Sequence, residues 1–134
     1  MVTNSDVIRD ALGLIGILNE IQDPSAEQGA HGLRVLNDMV NDWEANGISL
    51  QWFDQTDTTA ECPLPSSVLG AIKRNLALEL SPYYGRKVDA AAFQIASTLK
   101  SSVLLQSTID SMRESGLKDL PHPRFLNTYD ITKG

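Results

Sequence analysis

The chain has 134 residues, the length of one domain, with 42% hydrophobic residues to fill a core and a net charge of −6. No run approaches the roughly 20 apolar residues of a membrane span, and the start MVTNSDVIRD lacks the basic-then-apolar order of a secretory leader, so the expectation is a soluble protein made in a cytoplasm. One cysteine, Cys62, excludes an internal disulfide and, without clustered ligands, argues against a zinc site.

Taken in chain order, the first expected helix covers residues 5–20. Ser5 or Asn4 is its candidate cap and Asp6 favours the positive end of its dipole. Ile8, Ala11, Ile15 and Leu18 fall at helical spacing, with Val7, Leu12 and Leu14 widening the face. Gly13 and Gly16 lie inside it and read as a site of close helix approach rather than a hinge. Asp23-Pro24 restarts the chain, with Asp23 as cap and Pro24 as first helical residue. The second helix, 24–46, carries one stripe of Ala26, Gly29/Ala30, Leu33, Leu36, Met39/Val40 and Trp43, and Asn46-Gly47 stops it.

Residues 48–63 change period. Ile48, Leu50 and Trp52 alternate with Ser49 and Gln51, and Phe53 follows, which predicts a β-hairpin or an extended loop leaving the helical body. An isolated two-stranded hairpin is marginal in water, so this segment calls for support from the body or from a neighbouring subunit. The third helix, 66–81, buries Val68/Leu69, Ile72, Leu76 and Leu80 and ends at Ser81-Pro82. The fourth, 87–112, follows the Tyr83-Tyr84-Gly85 turn and presents Val88, Ala91/Ala92, Ile95, Leu99 and Val103. The expected architecture is all-α: a four-helix body over residues 1–113, the protruding segment 48–63, and an extended arm over 114–134. That arm has proline punctuation and separated apolar anchors, the composition of a chain that lies in another protein's groove.

Candidates for chemistry are few. His31 stands among small residues on the second helix and reads as a surface imidazole; His122 lies between two prolines in the arm; Cys62 has no neighbouring base. Asp38/Asp42 and Asp6/Asp10 are spaced four apart on helical faces, which suits a metal or acid/base pair but is far commoner among solvated acids. Glu79 sits inside the apolar run 76–80, with Lys73 or Arg86 as expected ion-pair partners. No GxSxG, P-loop, GxGxxG, HExxH or CxxC pattern occurs. Trp43, Trp52, Phe53, Tyr83 and Tyr84 lack interleaved basic residues and read as core and interface anchors rather than base-stacking platforms. The residues thus point to no catalytic group, metal or cofactor. Residues 5–46 carry eight acids against two bases, which opposes a grip on DNA phosphates.

The order ALGLIGIL (11–18), GLRVLNDMVNDWEANGI (32–48), GAIKRNLALELSPYYG (70–85) and an Ala-rich long helix resembles the head-to-tail adaptors of short-tailed bacteriophages, also called tail accessory factors or packaged-DNA stabilisation proteins. The resemblance implies a virion protein, synthesised in the host cytoplasm, that assembles as a twelve-subunit ring under the portal protein. Such a ring extends the channel through which double-stranded DNA passes, helps retain the genome and offers a platform to tail nozzle or fibre proteins. The family's portal-climbing arm then maps onto Leu117, Leu120, Pro121, Phe125, Leu126, Tyr129 and Ile131. Contacts between subunits or with tail proteins fall to Leu50, Trp52 and Phe53. A wall-degrading enzyme using Glu79 or Asp38/Asp42, and a small cytoplasmic regulatory protein, are the rival readings.

Overall fold

A computed structural model describes residues 1–19 and 21–114. Four α-helices follow one another: α1 (Asn4–Leu14), α2 (Ala26–Ala45), α3 (Ser66–Leu80) and α4 (Ala90–Glu114), with a 3-10 turn at Ser81–Tyr84. Among the described residues the only β pairing is a single antiparallel bridge between Thr3 and Glu61. No described helix is long and apolar enough to cross a membrane.

Helix α3 is the axis of the body and packs against α1, α2 and α4. Its predicted stripe is the observed one: Val68, Leu69, Ile72, Leu76 and Leu80 are all buried. They meet Val7, Ile8, Ala11 and Leu12 of α1 and Leu33, Leu36, Val40 and Trp43 of α2 in one continuous core. On α2 the predicted Ala26 and Ala30 face outward, and the buried small residues are Gly29 and Gly32. Gly32 is where the close approach occurs: a Cβ there would stand 2.6 Å from Cγ2 of Ile8. The expectation of close approach at Gly13 and Gly16 is corrected.

Those two glycines belong instead to the end of α1, which stops at Leu14 and not at residue 20. Gly16 adopts φ 76, a conformation with a steric penalty for any side chain. Its N–H donates to the Gly13 carbonyl and that of Ile17 to the Leu12 carbonyl, the paired closure that satisfies a helix's last carbonyls. The same closure ends α2, where Gly47 donates to Glu44 and Ile48 to Trp43.

The helix starts also move. Thr3, not Ser5 or Asn4, caps α1: its hydroxyl accepts the Asp6 N–H while the Asp6 carboxylate accepts the Thr3 N–H. Ser25 caps α2 through the same reciprocal arrangement with Gln28. Asp23 is therefore not the cap, and its carboxylate instead meets Arg9 at 3.2 Å. Asn4 is drawn inside as a buried residue whose side-chain amide donates to Gln55 Oε1 and the Asp57 carbonyl.

Residues 48–63 form neither a helix nor a named strand, the hairpin is not shown, and the segment does not leave the body. Gln51 takes φ 56, which breaks the two-residue alternation between Leu50 and Trp52. The backbone that a strand partner would have satisfied is held by side chains. Asn37 of α2 both donates to the Gln55 carbonyl and accepts the Gln55 N–H, each at 2.8 Å. The Glu44 carboxylate accepts the Trp52 N–H. Ser107 of α4 accepts the Ser49 N–H and donates to its carbonyl. Further on, the Thr58 and Ala60 carbonyls accept N–H groups at the start of α1.

Helix α4 has 25 residues, about 38 Å at 1.5 Å per residue. It starts at Ala90, after Asp89 turns its carboxylate back to the Ala92 N–H, and not at residue 87. Only Ala96, Val103 and Ser107 are fully buried on it. The predicted face was rotated: Ala91 and Ile95 point outward, while Leu99 and Val103 do pack on the body. The side-chain amide of Asn75 bridges α3 and α4 by donating to the Ala71 and Ala96 carbonyls.

Candidate functional site

Three of the four carboxylates that spacing brought forward, Asp6, Asp10 and Asp42, have partners within the body. Arg9 gathers Asp6 at 3.1 Å, Asp10 at 4.0 Å and Asp23 at 3.2 Å, and Lys73 reaches Asp10 at 2.8 Å. The Thr3 N–H, accepted by the Asp6 carboxylate, holds that group below the ordinary carboxylate range against the opposing effect of burial. Asp42 accepts from the Asn46 amide at the end of α2. Asp38 and Glu79 are exposed. Neither predicted partner meets Glu79, since Lys73 is committed to Asp10 and Arg86 forms no ion pair among the described residues. No group of three metal-ligating side chains occurs among the described residues.

Other single candidates settle into the body. Cys62 is a buried free thiol, and desolvation pushes its ionisation upward, away from nucleophilic use. Trp43 lies in the core with the Lys100 ammonium 5.3 Å from its ring centroid. His31 is half-buried and packs edge-on to Tyr83, centroids 4.6 Å apart, which ties α2 to the 3-10 turn. No local sequence signal joins those two residues.

The residues predicted for contacts behave differently from one another. Leu50 and Trp52 are partly buried against their own core, whereas Phe53 is 64% exposed. The predicted docking anchors Leu117, Leu120, Pro121, Phe125, Leu126, Tyr129 and Ile131 lie outside the described residues. Sequence reasoning did not single out the outer side of α4. Phe93 (59%), Ile95, Leu104 and Leu105 (62%) are all exposed there. An amphipathic helix shows one apolar stripe, whereas on α4 the apolar residues are spread around the helix.

Charge is also segregated. Residues 1–65 hold eleven acids and two bases, and residues 66–114 hold six bases and four acids. An acidic groove between α2 and the segment 48–63 is lined by Asp38, Asp54 and Asp57 with only Arg34 opposing. A second groove of about 430 Å³ opens where the end of α1, α3 and the start of α4 meet, and Arg74, Arg86 and Lys87 line it. The two share no lining residue. The chain matches no protein-family model and no curated protein sequence.

Proposed function

We propose that this chain is a structural, non-catalytic subunit of a phage head-to-tail connector. It joins the portal after DNA packaging, lengthens the DNA channel, helps to retain the genome and carries the next tail proteins. The observation that carries the reading is α4: a helix of 25 residues that buries three of them and leaves Phe93, Ile95, Leu104 and Leu105 to water. Exposed apolar groups of this extent belong to surfaces that other proteins cover. The acidic first half supports the same role, because a channel wall that repels phosphates lets DNA slide past.

In this reading portal contacts fall to residues 114–134 and contacts between copies, ring-wise, to the segment around Phe53. The test is removal of residues 115–134 followed by sedimentation with portal-bearing heads. A helical chain that no longer co-sediments is the expected result. Undiminished binding by the shortened chain sinks the assignment of the arm, and failure of the full-length chain to bind heads sinks the connector reading itself.

A further inference from the structure

We infer that copies of this chain meet head to tail, with Phe53 of one copy seated in the groove between α1, α3 and α4 of the next. The inference rests on the connector reading only in taking copies of the chain to assemble; the matched pair of surfaces is read from the molecule.

The groove is lined by the apolar residues Leu14, Ile15, Ala77, Leu78 and Val88. Its rim carries Arg74, Arg86 and Lys87, all exposed and without an ion pair among the described residues. Asp89 also lines the groove and accepts the Ala92 N–H, so three cations face one carboxylate there. The fitting occupant is a large apolar side chain flanked by acids. Phe53 is such a residue: it stands exposed on the segment that Asn37 clasps at Gln55, with Asp54 next to it and Asp57 four residues on. Asp54 and Asp57 make hydrogen bonds to Asn41 and Thr59 but no ion pair among the described residues, so their charges are free to face a cationic rim. A contact in which one copy's knob fills the next copy's groove is heterologous, and repeating it generates a ring or a filament, whereas a reciprocal pair of such contacts closes a dimer.

The decisive experiment uses two full-length charge-reversed variants. One carries Asp54→Lys and Asp57→Lys, the other Arg86→Glu and Lys87→Glu; circular dichroism verifies that both keep the parent's helicity. Within either variant alone the two surfaces bear like charge, while between the variants they are complementary in both orientations. Sedimentation velocity and carbodiimide coupling, the latter on mixed isotope-labelled and unlabelled chains, read the contact in solution and on portal-bearing heads. The parent should give Lys87–Asp54 or Lys87–Asp57 bonds between differently labelled chains. Each variant should lose association about tenfold or more, and an equimolar mixture should recover it. Variants that associate like the parent, a mixture no better than its components, or a parent giving no such bond in solution or on heads overturns the inference. Head binding that survives in those same cases leaves the connector reading standing.

Discussion

Helices α3 and α4 lie side by side and are both rich in apolar residues, yet they use them differently. In α3 every large apolar residue except Leu78 is buried, on one stripe that touches three neighbouring helices. In α4 the apolar residues run around the helix, and Ala96 and Val103 alone among them are fully enclosed. Large apolar residues of α3 are therefore enclosed by the body, whereas Phe93, Ile95, Leu104 and Leu105 of α4 face water. Composition does not separate the two; the angular spread of the apolar positions does.

Breaking the α3 side of this contrast should have the largest effect. Leu76→Ala empties a site with no exposure and should cost about 2–5 kcal/mol in chemical denaturation. Gly32→Val drives a side chain into Ile8, which lies within 2.6 Å of the added Cβ; overpacking of this kind costs about 1–3 kcal/mol. Thr3→Ala removes one half of the reciprocal cap on α1, for about 0.5–2 kcal/mol. The companion Asp6 adds a pH dependence. Its carboxyl titrates lower in the folded chain than in the unfolded one, so its contribution is complete above the ordinary carboxylate value and is lost as pH falls through the lower folded value. Denaturation curves of Asp6→Asn should show a shallower decline below about pH 4. At the other extreme, Leu105→Ser on α4 should change stability by no more than about 0.5 kcal/mol. If α4 is a contact surface, the same substitution should weaken head binding about tenfold; a large loss of stability with normal binding would reverse the contrast.

Much of the helical body was legible. The α3 stripe and the Asn46-Gly47 stop follow from periodicity and end chemistry that act locally. The starts of α1 and α2 were misread because capping residues compete at each: Thr3, Asn4 and Ser5 at the first, Asp23 and Ser25 at the second. Thr3 and Ser25 prevail through a partner three residues on, Asp6 and Gln28, which the candidates chosen from the sequence lack. The alternation at 48–52 has the same period in a strand and in a chain leaning on a helix, so it could not reveal that amides and hydroxyls from α2 and α4 replace a second strand. Of the residues put forward for contacts among the described ones, Phe53 is exposed and Leu50 and Trp52 are partly buried. The cationic groove was not legible, because Arg74 and Arg86-Lys87 are separated in sequence and only the turn after α3 brings them together.

The Asn37 clasp on Gln55 has a consequence for solubility. Extended chain with unpaired N–H and C=O groups is a template on which other molecules add strands and aggregate. Here the amide of Asn37 matches the hydrogen-bonding pattern of a peptide unit and occupies that edge. Glu44 and Ser107 shield it at Trp52 and Ser49. The segment thus holds Phe53 out to water while its backbone at Ser49, Trp52 and Gln55 is already paired.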